Sequence, residues 1–405
     1  MIVDNFIATA ASLLSLSSWQ RYGQTVLSEL HGHSSVISSH GLNLTDDLFE
    51  FHKNLVEIES ISLNERAVGE WLAHSLKSQG YNVEKQEVSQ DPLRFNVLAW
   101  PGKTRDAPVL LTSHIDVVPP YWPYRRLKNG TISGRGTVDA KGSVASQVLA
   151  VNQLLSNGSI TTDDIALLYV VGEEIHGDGM RTANSLGLKP KTVIFGEPTE
   201  GKLVAGHKGI ISFNITTIGK AAHSGYPWLG RSAIDEIIRA SSAVLALGRT
   251  LPSSDKYGNT TINIGKIQGG LAANVVAEGA SALVAMRIAE GSPAFIEKEV
   301  TKAVHSALED YLVGDLKAED LINITFLGGY GPVDIDADVP GFDVITVNYG
   351  TDVPNFNETV KGQKRYLYGP GSIQVAHSDH EALTESELLQ AVEDYQRIIM
   401  HALKR

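Results

Sequence analysis

The chain has 405 residues, of which 42% are hydrophobic and 20% are charged, and its formal net charge at pH 7 is −12. This length suggests two domains, and the acidic balance argues against nucleic acid or an anionic membrane as a partner. No apolar run is long enough for a membrane span, and because cysteine is absent any metal must be bound by His, Asp or Glu.

Residues 1–44 are predicted to form an N-terminal extension outside the main fold. Residues 6–17 are small and apolar like the middle of a secretory signal, but no basic residue precedes them, so a peripheral helix fits equally well. N-x-S/T sequons begin at Asn43, Asn129, Asn157, Asn214, Asn259, Asn323 and Asn357. Chance would give about two or three such sequons. We therefore expect a glycoprotein that is secreted or enters the vacuole, with the cytoplasm as the alternative location.

The pattern of residues 45–208 predicts the first part of a catalytic domain. Apolar residues recur at helical spacing after Thr45, and a second helix runs from about Glu65 to Gly80, a residue suited to a left-handed cap. Another helix is predicted over residues 143–155. Strand-like segments occupy residues 81–88, 95–100, 108–114, 165–172 and 192–196. Short apolar strands that alternate with helices predict a doubly wound α/β sheet.

Residues 209–328 have a different pattern. Two amphipathic helices and four alternating strands follow in the order βαββαβ, and Ser292 is the predicted cap of the second helix. This order predicts a small α+β domain inserted into the larger one. The catalytic domain then resumes over residues 329–405 and ends in a helix from about Glu385.

The glycine-rich stretch GRGTVDAKG, residues 134–142, could be a phosphate loop, a plain turn or part of a metal site. A phosphate loop needs four residues between its first glycine and a Gly-Lys-Ser/Thr step, which this stretch lacks, and Asp139 would repel a phosphate. Taken alone, the stretch is best explained as a turn. Acids and histidines elsewhere in the chain change that interpretation.

Several acids and histidines of the larger domain directly follow apolar strands. Ligands bind at such strand ends in open α/β sheets, and unpaired acids so close to an apolar sheet would be costly. A divalent cation resolves that conflict. The candidate ligands are His114, Asp139, Glu174, Glu197 and His377.

Five ligands suit two zinc ions if one of them is shared. With Asp139 as the bridge, each ion receives three protein ligands and keeps an open position, which is typical of catalytic zinc. Asp116, two residues after His114, is the predicted carboxylate that fixes the tautomer of that imidazole. Glu173 is left beside Glu174 and is the predicted general base.

The segments SHIDVVP, GRGTVDAKG, GEE, GEPT and GPG(x)4AH together resemble the signatures of a di-zinc metallopeptidase family. That family includes acetylornithine deacetylase, succinyl-diaminopimelate desuccinylase, aminoacylase and glutamate carboxypeptidase. The resemblance covers about residues 45–405, and HIDVVPPYWPY and NYGTDVPNF look similar to secreted fungal carboxypeptidase-like members. It implies two zinc ions per subunit, replaceable by Co²⁺ or Mn²⁺, bound by the five ligands above. It also suggests a cis peptide bond between Asp139 and Ala140.

The resemblance implies further residues, most of them in or beside the insert. His223, in AAHSGYP, would stabilise the oxyanion, although a surface histidine is the alternative. Asn274 and Arg287 would hold the substrate carboxylate, although Arg287 could form a structural ion pair. Lys208 and Thr351 are weaker candidates for substrate contacts.

The resemblance implies a zinc-dependent hydrolase that cleaves an amide bond next to a free carboxylate. The substrate would be a small peptide cleaved at its C-terminal bond or, as the alternative, an N-acyl amino acid. A non-catalytic binding protein on the same fold is the remote alternative, since such proteins lose ligands and all five are present here. The inserted domain would act as a lid and would form a homodimer.

Overall fold

A computed structural model of the protein describes residues 44–312 and 314–404. The predicted N-terminal extension lies outside these ranges except for its last residue, as does the sequon at Asn43. The α-helices of the described residues are α1 (Leu44–Glu57), α2 (Arg66–Ser78), α3 (Lys141–Ser156), α4 (Asp178–Ala183), α5 (Ala233–Leu247), α6 (Pro293–Ala307) and α7 (Glu385–Ala402). None of these helices is both long and apolar enough to cross a bilayer.

The strands of the described residues form one six-stranded sheet, one four-stranded sheet and two three-stranded sheets. Their bounds are β1 (Asn82–Gln90), β2 (Leu93–Trp100), β3 (Val109–His114), β4 (Arg125–Arg126), β5 (Thr131–Ser133), β6 (Ile165–Val170), β7 (Thr192–Gly196), β8 (Leu203–His207), β9 (Gly209–Ile218), β10 (Thr261–Gly269), β11 (Gly279–Ile288), β12 (Ile322–Tyr330), β13 (Val333–Asp334), β14 (Val344–Val347), β15 (Lys364–Tyr368) and β16 (Ala382–Thr384).

The six-stranded sheet has the order β1-β2-β6-β3-β7-β15. Strands β6, β3, β7 and β15 are parallel, whereas β1 and β2 add an antiparallel edge. Every residue of β3, β6 and β7 is buried, because both faces of the sheet are covered. This explains why these strands are mostly apolar and do not alternate between apolar and polar residues. Their carboxyl ends lie along one edge of the sheet.

Different layers cover the two faces of this sheet. On one face, side chains of α1, α3 and α7 such as Leu55, Val148 and Tyr395 pack with Leu111 and Leu167 of the sheet. On the other face, α4 and the small sheet β13-β8-β14 pack with the alternate residues of the same strands. The prediction of an α/β fold whose sheet is covered on both faces is confirmed.

The four-stranded sheet, of order β10-β11-β9-β12, is antiparallel throughout and confirms the predicted βαββαβ insert. Alternate residues of β9 and β11, such as Phe213 and Val284, are buried against α5 and α6, and the residues between them face away. The hydroxyl of Ser292 accepts a hydrogen bond from the N–H of Phe295, so the predicted cap of α6 is confirmed. Such a cap stabilises a helix by about 1 kcal/mol.

The chain enters and leaves the insert at the point where the first and last strands of the insert, β9 and β12, meet. A Cβ atom on Gly209 would lie 2.3 Å from the carbonyl oxygen of Tyr330. No side chain larger than hydrogen therefore fits at the start of β9. This close backbone approach holds the start of β9 against the end of β12.

Candidate metal centre

The first candidate metal group lies at the carboxyl ends of two adjacent parallel strands. His114 ends β3 and Glu197 directly follows β7, so both side chains reach the same edge of the sheet. Asp139 comes from the loop between β5 and α3. Nε2 of His114 lies 3.0 Å from Oδ1 of Asp139 and 3.7 Å from Oε2 of Glu197. All three side chains are buried, and their donor atoms lie within 4.8 Å of one another, which suits a metal ion.

Asp139 also belongs to a second group of three. Its other carboxylate oxygen, Oδ2, lies 3.3 Å from Nε2 of His377, and that nitrogen lies 2.9 Å from Oε2 of Glu174. Glu174 follows β6, and His377 comes from the loop after β15. The donor atoms of this group also lie within 4.8 Å of one another. The two oxygens of Asp139 thus face different groups, as expected for a bridging carboxylate.

The motif GRGTVDAKG forms the loop that carries Asp139. Gly134 and Gly136 have φ angles of +146° and +88°, which only glycine adopts readily. A Cβ on Gly136 would also lie 2.7 Å from Cγ1 of Val117. The peptide bond between Asp139 and Ala140 is cis, so that prediction is confirmed.

The electrostatics of the centre fit a bound cation. Burial and the neighbouring Asp139 raise the pKa of Glu174 from 4.5 to about 7. Burial likewise raises the pKa of Glu197 to about 7. Oε1 of Glu174 is buried and has no hydrogen-bond partner among the described residues. A divalent metal ion would supply both the missing partner and the missing positive charge. The residues of both groups therefore fit a metal.

The same shifts predict how stability depends on pH once metal is removed. A carboxyl whose folded pKa is raised stabilises the fold at low pH, and that contribution is lost as pH rises from 4.5 through about 7, as for Glu174 and Glu197. Hydrogen bonds to Asp139 and Glu174 raise the pKa of His377 from 6.5 to about 10, so its contribution also declines above 6.5. We expect EDTA to lower the unfolding temperature more at pH 8 than at pH 5.5. Thermal unfolding with and without EDTA measures this, and an equal decrease at both pH values would contradict it.

Asp116 is buried between the two groups. Nδ1 of His114 lies 3.0 Å from the backbone oxygen of Asp116 and 3.6 Å from its carboxylate Oδ1, so the backbone oxygen is the nearer acceptor. The carboxylate accepts hydrogen bonds from the N–H groups of Glu173 and Glu174, at 3.1 and 3.2 Å, and from the hydroxyl of Ser62 at 2.8 Å. Asp116 therefore orients the loop that carries both glutamates as well as the imidazole.

Glu173 lines the cavity beside the metal centre but belongs to neither group of candidate ligands in the described part of the chain. Burial, followed by the charge of Glu197, raises its pKa well above the ordinary value. Such a side chain can accept a proton and keep it during a reaction step. Its position and its pKa are consistent with the predicted general base.

A residue that the sequence analysis did not identify, Glu381, holds the loop of Asp139. Its Oε1 accepts hydrogen bonds from the N–H groups of Gly136, Val138 and Asp139 at 2.9, 3.0 and 3.2 Å. Its Oε2 lies 2.6 Å from Nη1 of Arg135, and both side chains are buried. Glu381 therefore fixes the backbone that presents the bridging carboxylate.

We expect Glu381→Ala to weaken metal binding by about 10–100-fold, the usual effect of losing a residue that supports a metal ligand. The substitution leaves three N–H groups and the guanidinium of Arg135 without their acceptor. Competition with a chelator measures the affinity. The control is Glu236→Ala, which removes the ion pair between the buried Glu236 and the half-buried Arg231 in the insert. If both variants bind metal equally well, Glu381 only stabilises the fold.

Two of the four predicted substrate-binding residues line a cavity of about 720 Å³ beside the metal centre. Arg287 lines it, and its guanidinium makes no hydrogen bond or ion pair with any other residue that the structure describes. Thr351 also lines it, with its hydroxyl 3.1 Å from Nε2 of His207. Lys208 does not line the cavity, and its Nζ donates to the backbone oxygen of Asn259 at 2.6 Å. Arg287 is thus available for a substrate carboxylate, whereas Lys208 is already engaged.

The fourth of these residues, Asn274, lies beside the predicted oxyanion residue His223 on the insert, and neither lines the cavity. His223 pairs through its backbone with Val275, and the N–H of Ser224 donates to the backbone oxygen of Asn274 at 3.0 Å. The side chains of His223 and Asn274 are exposed. To act at the metal centre they need either a movement of the insert or a site on a second subunit.

Sequence comparisons identify relatives along nearly the whole chain. A family model described as a peptidase dimerisation domain matches residues 205–315. A probable carboxypeptidase of Aspergillus niger is 47% identical over 409 residues, which cover 94% of each chain. A probable carboxypeptidase of Aspergillus flavus is 48% identical over 383 residues, which cover 88% of this chain and 87% of the relative.

Solved structures of low identity share the fold. A tripeptidase from Staphylococcus aureus aligns with a TM-score of 0.74 and 24% identity over 89% of this chain and 99% of its own. An M20 family metallo-carboxypeptidase from Sulfolobus solfataricus aligns with a TM-score of 0.70 and 16% identity over 89% of this chain and 100% of its own. These findings confirm the resemblance inferred from the motifs, and the chain belongs to the M20 metallopeptidase family.

Proposed function

We propose that this metallopeptidase removes the C-terminal residue of small peptides with two zinc ions bound at the metal centre. The chain is a carboxypeptidase-like hydrolase, in agreement with the names of its relatives in Aspergillus. The observation that carries the proposal of two ions is the pair of three-residue groups that share Asp139. Three protein ligands for each ion leave an open coordination position, as catalytic zinc requires.

When bound, the zinc ions would polarise the scissile carbonyl and lower the pKa of water towards 7. The protein residues then have distinct roles. Glu173 accepts the proton of the attacking water and delivers it to the leaving amine, and its raised pKa favours the first of these steps. Arg287 pairs with the free carboxylate of the substrate. His223 donates a hydrogen bond to the oxyanion that develops on the scissile carbonyl.

Metal analysis and matched substrates test this proposal. We expect about two zinc ions per chain, and we expect acetyl-Gly-Ala to release alanine while its C-terminal amide is not cleaved. Arg287→Met should abolish this preference for a free carboxylate, since it keeps an unbranched, flexible side chain but removes its charge and its donors. Release of acetate from N-acetyl-alanine without release of alanine from the peptide would establish the deacylase alternative instead.

We further propose that the chain forms a homodimer through its insert and enters the secretory pathway. The description of the matched family as a peptidase dimerisation domain supports the dimer. Among the described sequons, four asparagines are exposed and lie outside helices and strands: Asn129, Asn157, Asn259 and Asn357. Export would make these asparagines acceptors for glycans. Light scattering tests the dimer, and a change in gel mobility after enzymatic removal of glycans tests the export.

A further inference from the structure

The cavity beside the metal centre has an apolar wall that the proposed chemistry does not use. Its members are Ile175, Leu283 and Leu327, whose exposed fractions are 40%, 42% and 61%. Ile175 directly follows the candidate ligand Glu174, and the two leucines belong to the insert sheet. Large apolar side chains that are exposed inside a concave site usually contact a ligand. We call these three residues the apolar wall.

The position of the wall relative to Arg287 decides which part of a substrate it contacts. Leu283, Ala285 and Arg287 alternate along β11 on the face opposite the helices, and all three line the cavity. Four residues of a strand separate Leu283 from Arg287 by about 13 Å. The C-terminal residue of a peptide, with its carboxylate at Arg287, extends over only about 3.4 Å of that length. The spacing along the strand therefore favours contact between Leu283 and a part of the substrate that lies beyond its C-terminal residue.

We propose that the apolar wall binds a large apolar group on the acyl side of the scissile bond. This inference rests on the proposed function, because it takes Arg287 as the site of the free carboxylate. The uncharged Ser212 and Asn263 line the same part of the insert sheet. The carboxylates among the residues that line the cavity belong to the metal centre and Glu173. Arg181 also lines the cavity, but its Nε already donates to Oδ1 of Asn355 at 3.3 Å. An apolar side chain or acyl chain fits the three members of the wall, which offer a charged group no partner for its lost hydration.

The test varies only the acyl side of the substrate and keeps alanine as the leaving residue. We compare acetyl-Leu-Ala with acetyl-Gly-Ala, and hexanoyl-alanine with acetyl-alanine, with the zinc enzyme at one pH. We expect kcat/KM to be at least about 10-fold higher for the apolar member of a pair, since a few methylene groups in an apolar pocket have this effect. If acetyl-Leu-Ala is the better substrate of the peptide pair, the group that binds the wall is an amino-acid side chain. If hexanoyl-alanine is the better substrate of the acyl pair, that group is a fatty acyl chain.

Substitution assigns the preference to the wall. Leu283→Ala should bring the ratio of kcat/KM within the preferred pair towards one, and Leu283→Asp should lower it further. The control is Leu127→Ala, because Leu127 is 48% exposed and lies outside the cavity lining. Equal kcat/KM values within both pairs, or a preference that survives both Leu283 variants, would overturn the inference. The proposed function fails separately, if alanine is not released from any of the peptides.

Discussion

Glu173→Gln should lower kcat by about 10²–10⁴-fold, the range by which a positioned general base accelerates proton transfer. The amide of glutamine has nearly the shape of the carboxylate but cannot accept the proton of the attacking water. Since Glu173 belongs to neither group of candidate metal ligands in the described chain, zinc content should stay at the wild-type level. Steady-state kinetics with metal analysis of the same sample measures both quantities.

The adjacent glutamate provides the matched control for this prediction. Glu174 lies 2.9 Å from His377 and is the candidate ligand, so Glu174→Ala should deplete metal as well as activity. The two variants thus separate proton transfer from metal binding at neighbouring positions. If Glu173→Gln retains more than about a tenth of kcat, or loses zinc, the roles assigned to the two glutamates are wrong or exchanged.

The fold was predictable where local patterns and the tertiary structure agree. The fully buried strands β3, β6 and β7 are mostly apolar, and the insert strands alternate because only one of their faces is covered. The end of α2 was predictable for the same reason, because Gly80 follows this helix with a φ of +92°, the left-handed conformation that glycine favours. The candidate ligands were identifiable because parallel strands place their carboxyl ends at one edge, where His114 and Glu197 meet.

The supporting contacts were not predictable, because they join residues that are distant in the chain and carry no local pattern. Glu381 accepts a hydrogen bond from the N–H of Asp139, which is 242 residues away. A single glutamate near the end of the chain gives no sign of that contact. The engagement of Lys208 by Asn259 is a similar case, since its motif suggested a substrate contact and only the tertiary structure brings the two residues together.

The position of His223 leads to the second prediction, that two inactive variants complement each other. His223 is exposed on the insert and does not line the cavity of its own chain. If it acts on a partner subunit, His223→Ala lowers the activity of a homodimer by about 10²–10³-fold, as loss of an oxyanion donor does. A heterodimer with Glu173→Gln then holds one intact site, which combines Glu173 of the first chain with His223 of the second. Random exchange of subunits would restore about a quarter of wild-type activity.

A second mixture controls for nonspecific effects of combining variants. Glu173→Gln and Glu174→Ala both alter the same end of β6, so their heterodimer has no intact site whichever subunit supplies His223. Subunits must be exchanged by co-expression or by mild unfolding before the assay, because a stable dimer would not mix. Action between subunits would be excluded if the activity of the mixture equals the sum of the activities of the separate variants. It would also be excluded if light scattering shows only monomers in a fully active sample. His223 would then have to reach the metal centre of its own chain through closure of the insert. In that case each subunit of a heterodimer has one defect in its own site, and mixing restores no activity.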